Sequence, residues 1–218
     1  MHSPYATTGH CQTFQRFGDG CGHGFDLNHA LDCRKGGLVI QRHNEIRDAV
    51  GDLANLVWKD VHREPVVREA TENSPALIAD LAVRGVWQTQ SVALLDIRVI
   101  DTDAQSYLSR SVQSILSSAE TEKRTKYQAA CEFRRAAFTP FITSVDGALG
   151  KESKAFLHKL TGLLTIKWQK SLDETTNWIR TRLSFAILRA TNHCIRGSRI
   201  RWRSLGLIDG APIRLAIS

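Results

Sequence analysis

Between residues 41 and 60 apolar positions recur at helical spacing. Ile46, Val50, Leu53 and Val57 fall on one side, which predicts an amphipathic helix. The period then shortens. Residues 61–69, 76–84 and 92–100 are runs rich in Val, Leu and Ile and predict three strands. Pro65 cannot donate to a ladder, so the first run is an edge strand or a bent one. Val92-Ala93-Leu94-Leu95 and Val99-Ile100 are apolar on both faces, as in a buried central strand. Gly85 and the polar run Gln88 to Ser91 before it fit a hairpin-like turn. Residues 102–118 are polar and Ser-rich. Ser117 and Glu120 have the spacing of a capping box, which would open a helix reaching about residue 136. A fourth strand is predicted over residues 138–145, closed by Asp146-Gly147. Residues 151–169 predict a helix with Phe156, Leu160 and Leu163. Ser171 and Glu174 repeat the capping-box pattern before a helix carrying Ile179, Leu183, Ile187, Ala190 and Cys194 on one side. The order is helix, three strands, helix, strand, then two helices, with no internal repeat: an α/β core.

The chain has 218 residues, 42% hydrophobic and 23% charged, which excludes a disordered or low-complexity protein. Its length suits one domain of ordinary size or one domain with a small module. Three segments are expected: a Cys/His-rich knuckle-like piece at 1–37, the α/β core at 38–150, and a helical extension at 151–218 packed on that core. No run of about 18 apolar residues exists, so a transmembrane helix is excluded. The first 24 residues are polar, without the pattern of a signal peptide, so an intracellular protein is expected, nuclear in a eukaryote. Five cysteines, at 11, 21, 33, 131 and 194, do not read as a disulfide framework.

The net charge of +7 is unevenly spread. Residues 151–203 hold 12 Lys/Arg against 3 Asp/Glu, whereas residues 1–150 hold 16 against 18. Lys167, Lys170, Arg180, Arg182, Arg189, Arg196, Arg199, Arg201 and Arg203 lie in the basic stretch. They point either to a polyanion, most often nucleic acid, or to a solvated helical surface. Trp168, Trp178 and Trp202 lie there too and fit either stacking on bases or core packing.

The informative residues are two lone carboxylates on apolar strands, Asp80 in Ala79-Asp80-Leu81 and Asp96 in Leu94-Leu95-Asp96-Ile97-Arg98. If the strands pair through the intervening turn, the two face each other. A carboxylate on a buried strand needs a partner. Arg84, Arg98 or a backbone turn is one solution. Mg²⁺, which prefers hard oxygen ligands and can activate water against a phosphate, is another.

This arrangement resembles the restriction-endonuclease-like (PD-(D/E)XK) nuclease superfamily. Ala79 stands where that pattern has Pro, and Arg98 where it has Lys. A narrower resemblance adds His29-Ala30-Leu31-Asp32-Cys33, Arg42-His43-Asn44-Glu45-Ile46-Arg47-Asp48, Lys123-Arg124-Thr125-Lys126-Tyr127 and Cys194-Ile195-Arg196-Gly197-Ser198-Arg199. Over residues 21–199 the chain looks like the endonuclease region of site-specific non-LTR retrotransposon polyproteins. There a Cys/His zinc knuckle precedes the nuclease, and the following helix supplies the catalytic lysine. The resemblance implies a metal-dependent DNA endonuclease that nicks its target. Asp80 and Asp96 would hold Mg²⁺ or Mn²⁺, with Glu45 as a further metal carboxylate. Lys123 or Lys126 would orient water, with Tyr127 beside it, and Arg98 would neutralise the phosphate. Arg42 and His43 at the start of the first helix would contact phosphate. DNA, retroelement RNA and a reverse transcriptase domain encoded elsewhere are the implied partners, since no Tyr-Ala-Asp-Asp polymerase signature occurs here; a membrane is not among them.

His29 and Cys33 are four residues apart, on one side of a helical turn, and suit Zn²⁺. Cys21 would be a third ligand. Asp19 occupies the place of the knuckle's partner cysteine, so Cys11, His10 or His23 would have to substitute. The competing reading is a nucleic-acid-binding or scaffold module that keeps the fold without the chemistry.

Overall fold

A computed structural model describes Cys21, Gly24 and residues 26–197. Asp26 caps α1 (Leu27–Asp32), its carboxylate accepting the His29 N–H at 2.7 Å. Gly37, with φ of 74°, turns the chain into α2 (Leu38–Asn55) through a left-handed conformation that glycine adopts without strain. Ile46, Val50, Leu53 and Ala54 are the buried stripe of α2. It begins three residues before the predicted start and ends at Asn55 rather than residue 60.

The first two predicted strands are each broken in the middle. The first becomes β1 (Val61–Arg63) and β2 (Val66–Arg68), and the second becomes β3 (Leu77–Ile78) and β4 (Leu81–Arg84). Pro65 interrupts the ladder, and Glu64 before it takes a φ of 52°. Across the break, the Glu64 N–H donates to the Asp80 carbonyl at 2.9 Å and the Ala79 N–H to the Pro65 carbonyl at 3.1 Å. Both chains therefore turn together. β2 and β3 leave as a separate two-stranded ribbon, and Asp80 stands at the corner.

The main sheet has the order β1-β4-β5-β6, with β5 at Val92–Ile100 and β6 at Ala137–Ser144. β1, β4 and β5 are antiparallel neighbours, and β5 and β6 are parallel. The parallel pair needs a crossover, which α3 (Val112–Arg134) supplies. Pro140 lies on β6, an edge strand, where a missing donor is tolerated. The free edge is closed by the chain that follows. The Gly150 N–H donates to the Ile142 carbonyl at 2.9 Å, and the Ser153 hydroxyl bridges the N–H and carbonyl of Ile142.

Strand alternation sorts the side chains. Leu81, Val83, Ala93, Leu95, Ile97 and Phe141 form one face. It packs against α2 and against Phe156, Leu160, Leu164, Ile179, Leu183 and Ile187 of α4 (Lys151–Trp168) and α5 (Leu172–Arg196). Ala82, Leu94 and Phe138 form the other face, against Tyr127 and Cys131 of α3. Among the described residues the result is a mixed α/β fold of five α-helices around a four-stranded mixed sheet and the two-stranded ribbon. None of these helices is long and apolar enough to cross a membrane.

The helix caps divide. Ser171 and Glu174 form the predicted capping box, each side chain bonded to the other's backbone N–H. The Ser117–Glu120 pattern does not cap: α3 starts earlier, at Val112, where the Ser111 hydroxyl accepts the Ser114 N–H at 3.3 Å. Glu120 instead serves another helix, its Oε1 accepting the Glu152 N–H in the first turn of α4 at 2.9 Å.

Glu120 is buried. Desolvation, with the Glu152 charge adding, pushes its carboxyl above the ordinary value. A raised folded-state value means a contribution that is full below the unfolded pKa and lost as pH rises through the folded one. Glu120→Gln keeps an acceptor for α4 and removes that loss. Urea denaturation should therefore give a stability advantage to the variant that is smallest near pH ~3 and grows towards pH ~7. A variant weaker than wild type at neutral pH would show that α4 needs the charge.

Candidate active site

The Leu81↔Leu95 register, continued by one pair, sets Asp80 opposite Asp96. Asp96 shares the sheet face of Leu94 and Arg98, the face that α3 covers. On α3, Glu120, Lys123, Tyr127 and Cys131 follow one another at helical spacing along the side turned to the sheet. Chain parity and helix period thus bring two carboxylates, a lysine and a tyrosine to one corner.

Each group there has a defined partner. Asp96 is 5% exposed. The Lys123 ammonium lies 2.6 Å from its Oδ2, and the Tyr127 hydroxyl lies 2.5 Å from its Oδ1. The same hydroxyl is 2.6 Å from the Ile78 carbonyl, so one phenolic proton serves two acceptors. Burial first, then the Asp96 hydrogen bond and charge, push the Tyr127 phenol well above its usual range, which keeps it a donor. The Lys123 contact is an ion pair without hydrogen-bond alignment, and Asp96 Oδ2 is left buried and accepting none. Asp80 Oδ1 meets His43 Nε2 at 2.8 Å, and its Oδ2 accepts the Ile97 N–H at 2.5 Å. Asp80 is therefore fastened to the strand that carries Asp96.

The other expected residues are distributed around this corner. Lys126 is exposed, with its ammonium 5.3 Å from the centre of the Tyr127 ring; of the two candidate lysines, Lys123 meets the carboxylate. Arg98 donates to Glu122 at 2.6 Å and holds that carboxylate below its ordinary value. Glu45 is two residues from His43, about 200° around the helix. Its carboxylate pairs with Arg189 of α5, in a groove between α2 and α5, away from Asp80. Arg42 is buried at 3% exposure. Tyr127 was legible as Lys123 plus four, one helical turn away. Glu122, as the partner of Arg98, has no sequence signal.

A second cluster lies in the Cys/His segment. Ligand atoms of Cys21, His29 and Cys33 all lie within 4.8 Å of one another, a group that can hold a metal ion. Cys21 Sγ is 3.2 Å from His29 Nε2. Cys11, His10, His23, Arg199, Arg201, Trp202 and Arg203 lie outside the described residues.

On the basic helices, Lys167 donates to the Leu56 carbonyl at 2.6 Å, at the C-terminal end of α2. Trp168 and Trp178 meet edge to face at 4.9 Å, and the Arg182 guanidinium lies 5.3 Å from the centre of Trp178. Lys170 lines the shallow pocket beside these rings. Arg180 and Arg196 are exposed on α5.

No protein-family model matches the chain, and no curated protein aligns with it.

Removing Lys123 would leave Asp96 as a buried, uncompensated charge. Lys123→Met is expected to cost about 2–4 kcal/mol in guanidinium denaturation, and Asp96→Asn in the same chain should recover most of it. A cost below about 0.5 kcal/mol would show that the pair carries little of the packing between α3 and the sheet.

Proposed function

We propose that the chain is a metal-dependent DNA endonuclease domain of retroelement origin. Its core would be the restriction-endonuclease-like one of non-LTR retrotransposon polyproteins, and its reaction hydrolysis of one phosphodiester to nick the target. The observation that carries this reading is the meeting of Asp80, Asp96 and Lys123, from three separate elements, at one corner. A structural ion pair needs one carboxylate and one cation. A second carboxylate tied to the same stretch of strand adds repulsion, and nuclease chemistry gives it a purpose.

The donor set suits a hard divalent cation by type: carboxylate oxygens, of which Asp96 Oδ2 is buried with the Lys123 ammonium beside it. Asp80 and Asp96 would hold Mg²⁺ or Mn²⁺, which when bound supplies Lewis-acid stabilisation of phosphate charge and an acidified water. Tyr127 and His43 fix the two carboxylates. Lys123, beside Asp96, orients the attacking water. Arg98 neutralises the phosphate once released from the exposed Glu122. Lys170, Arg180, Arg182 and Arg196 hold flanking DNA. Cys21, His29 and Cys33 would bind Zn²⁺, which favours thiolate and imidazole, with a further ligand such as Cys11. DNA is the partner, with retroelement RNA and a separately encoded reverse transcriptase alongside.

A scaffold that binds nucleic acid without cutting is the second reading. It is favoured by Asp80, whose two oxygens already accept from His43 and Ile97. Plasmid nicking separates the two. Supercoiled DNA with Mg²⁺ should convert to open circles, and Asp96→Ala or Lys123→Ala should lower the rate by at least ~10². Wild type that retains DNA on a filter but leaves the plasmid supercoiled would replace the nuclease by the scaffold.

For the second cluster, elemental analysis of the purified chain should find about one zinc per molecule. Cys33→Ser should drop it below about a tenth. A chain that purifies without zinc and melts identically with and without chelator would exclude this ion.

A further inference from the structure

Beside the carboxylate corner is a cavity of about 310 Å³, at the small end of ligand pockets. Its charged walls come from three elements: Arg42 and His43 of α2, Arg98 of β5, and Glu122 and Lys123 of α3. Three permanent cations thus face one carboxylate, and that carboxylate is exposed and already paired with Arg98.

Arg42 is the unexplained member. Its side chain is buried, and both Nε and Nη1 are shielded from solvent without an acceptor. A buried donor left without an acceptor is costly, the more so in a charged group. An opposite charge coupled to Arg42 is Asp101, buried as well. It feels Arg42 but makes no hydrogen bond to it, and its Oδ2 also has no partner. Lys123 and His43 are committed to Asp96 and Asp80. Arg42 is the cation in this wall without an ion-pair or hydrogen-bond partner; its Nε and Nη1 are shielded from the cavity, so an anion there meets the guanidinium at Nη2 or after a turn of the side chain toward the space.

We propose that this cavity is a phosphate-binding pocket, with Arg42 as its recognition residue and Arg98 as its second cation. A guanidinium fork matches two phosphate oxygens at once, and the low-dielectric setting strengthens both bonds. Because the pocket adjoins Asp80 and Asp96, the bound group is the phosphate next to the cleaved bond, which holds the strand in register for attack. That placement on a nucleic-acid strand rests on the endonuclease reading; anion binding by the pocket does not.

The test uses the full chain without added divalent metal. Inorganic phosphate and a dinucleotide with one internal phosphodiester are titrated against chloride at matched ionic strength, with melting temperature and calorimetry as readouts. Wild type should be stabilised by both probes beyond chloride. Arg42→Lys, which keeps the charge and loses the fork, should weaken binding at least about tenfold. Arg98→Ala, on the more open wall, should weaken it several-fold and serves if Arg42→Lys does not fold. Phosphate binding unchanged in both arginine variants overturns the proposal. So does an Arg42→Lys chain that binds as wild type while Asp101→Asn melts early, which would make Arg42 a buried counter-ion joined to Asp101 by water. Arg42-dependent binding in a chain that nicks nothing upholds the pocket and removes the nuclease. Nicking with an unchanged KM in Arg42→Lys removes the pocket and leaves the nuclease.

Discussion

Asp96 sits on β5, with Leu95 and Ile97 as its neighbours in the strand, β4 and β6 on either side, and α3 above. A charge there is deprived of water and has to be compensated from the one element that can reach it. That element is α3. Lys123 and Tyr127, one turn apart, grip the two carboxylate oxygens, and Cys131 continues the same stripe into the apolar contact with Leu94 and Phe138. The compensation therefore fixes the rotation of α3 about its axis. A helix turned by one position toward Glu122 would bring a second carboxylate to the sheet and leave Asp96 unpaired. Apolar packing alone tolerates such a slip far better than a buried ion pair does.

The second constraint is the corner at Glu64-Pro65. Proline ends the β1 ladder, and the left-handed Glu64 swings the chain out of the main sheet; the paired strand has to follow, because the Glu64 N–H donates to the Asp80 carbonyl and the Ala79 N–H to the Pro65 carbonyl across the turn. Without the corner, Asp80 would be an interior residue of a long hairpin. With it, Asp80 is at a strand end, where its carboxylate is free to fold back on the Ile97 N–H and to meet His43. A proline in an outer strand thereby positions a carboxylate on its neighbour, and α2 reaches the same place through the half-buried His43, one turn before Ile46 of its buried stripe.

The element order and the pairing of Asp80 with Asp96 were legible because both depend on period: a helical stripe from Ile46, and lone acids at matching places on two runs joined by a short turn. The capping box at Ser171 was legible for the same reason, since a cap is local. The identical spacing at Ser117 and Glu120 misled, because Glu120 is buried against α4, a partner that sequence distance hides; tertiary contact overrode the local pattern. Glu45 illustrates the other limit. Its type and place on the first helix suit a metal site, but only the helical phase relative to His43 decides which side it serves, and that phase puts it with Arg189.

The basic C-terminal stretch shows why a charge count is a weak guide to where a polyanion would be gripped. Several of its cations are already engaged: Lys167 on the end of α2, Arg189 on Glu45, Arg182 above Trp178. What they hold is largely the packing of α4 and α5 on α2. Arg42, Arg98 and Lys123 come instead from the first 150 residues, which carry a slight acidic excess. A local field is set by which charges face a common space and by how little water that space holds. Four of the acids in residues 38–150, Asp48, Asp52, Asp60 and Glu64, are held away from that space by Arg47, Arg63 and Arg84, around α2 and the β1–β4 side of the sheet. Arg42, the cation of that wall without an ion-pair partner, therefore lies in the segment whose net charge has the opposite sign.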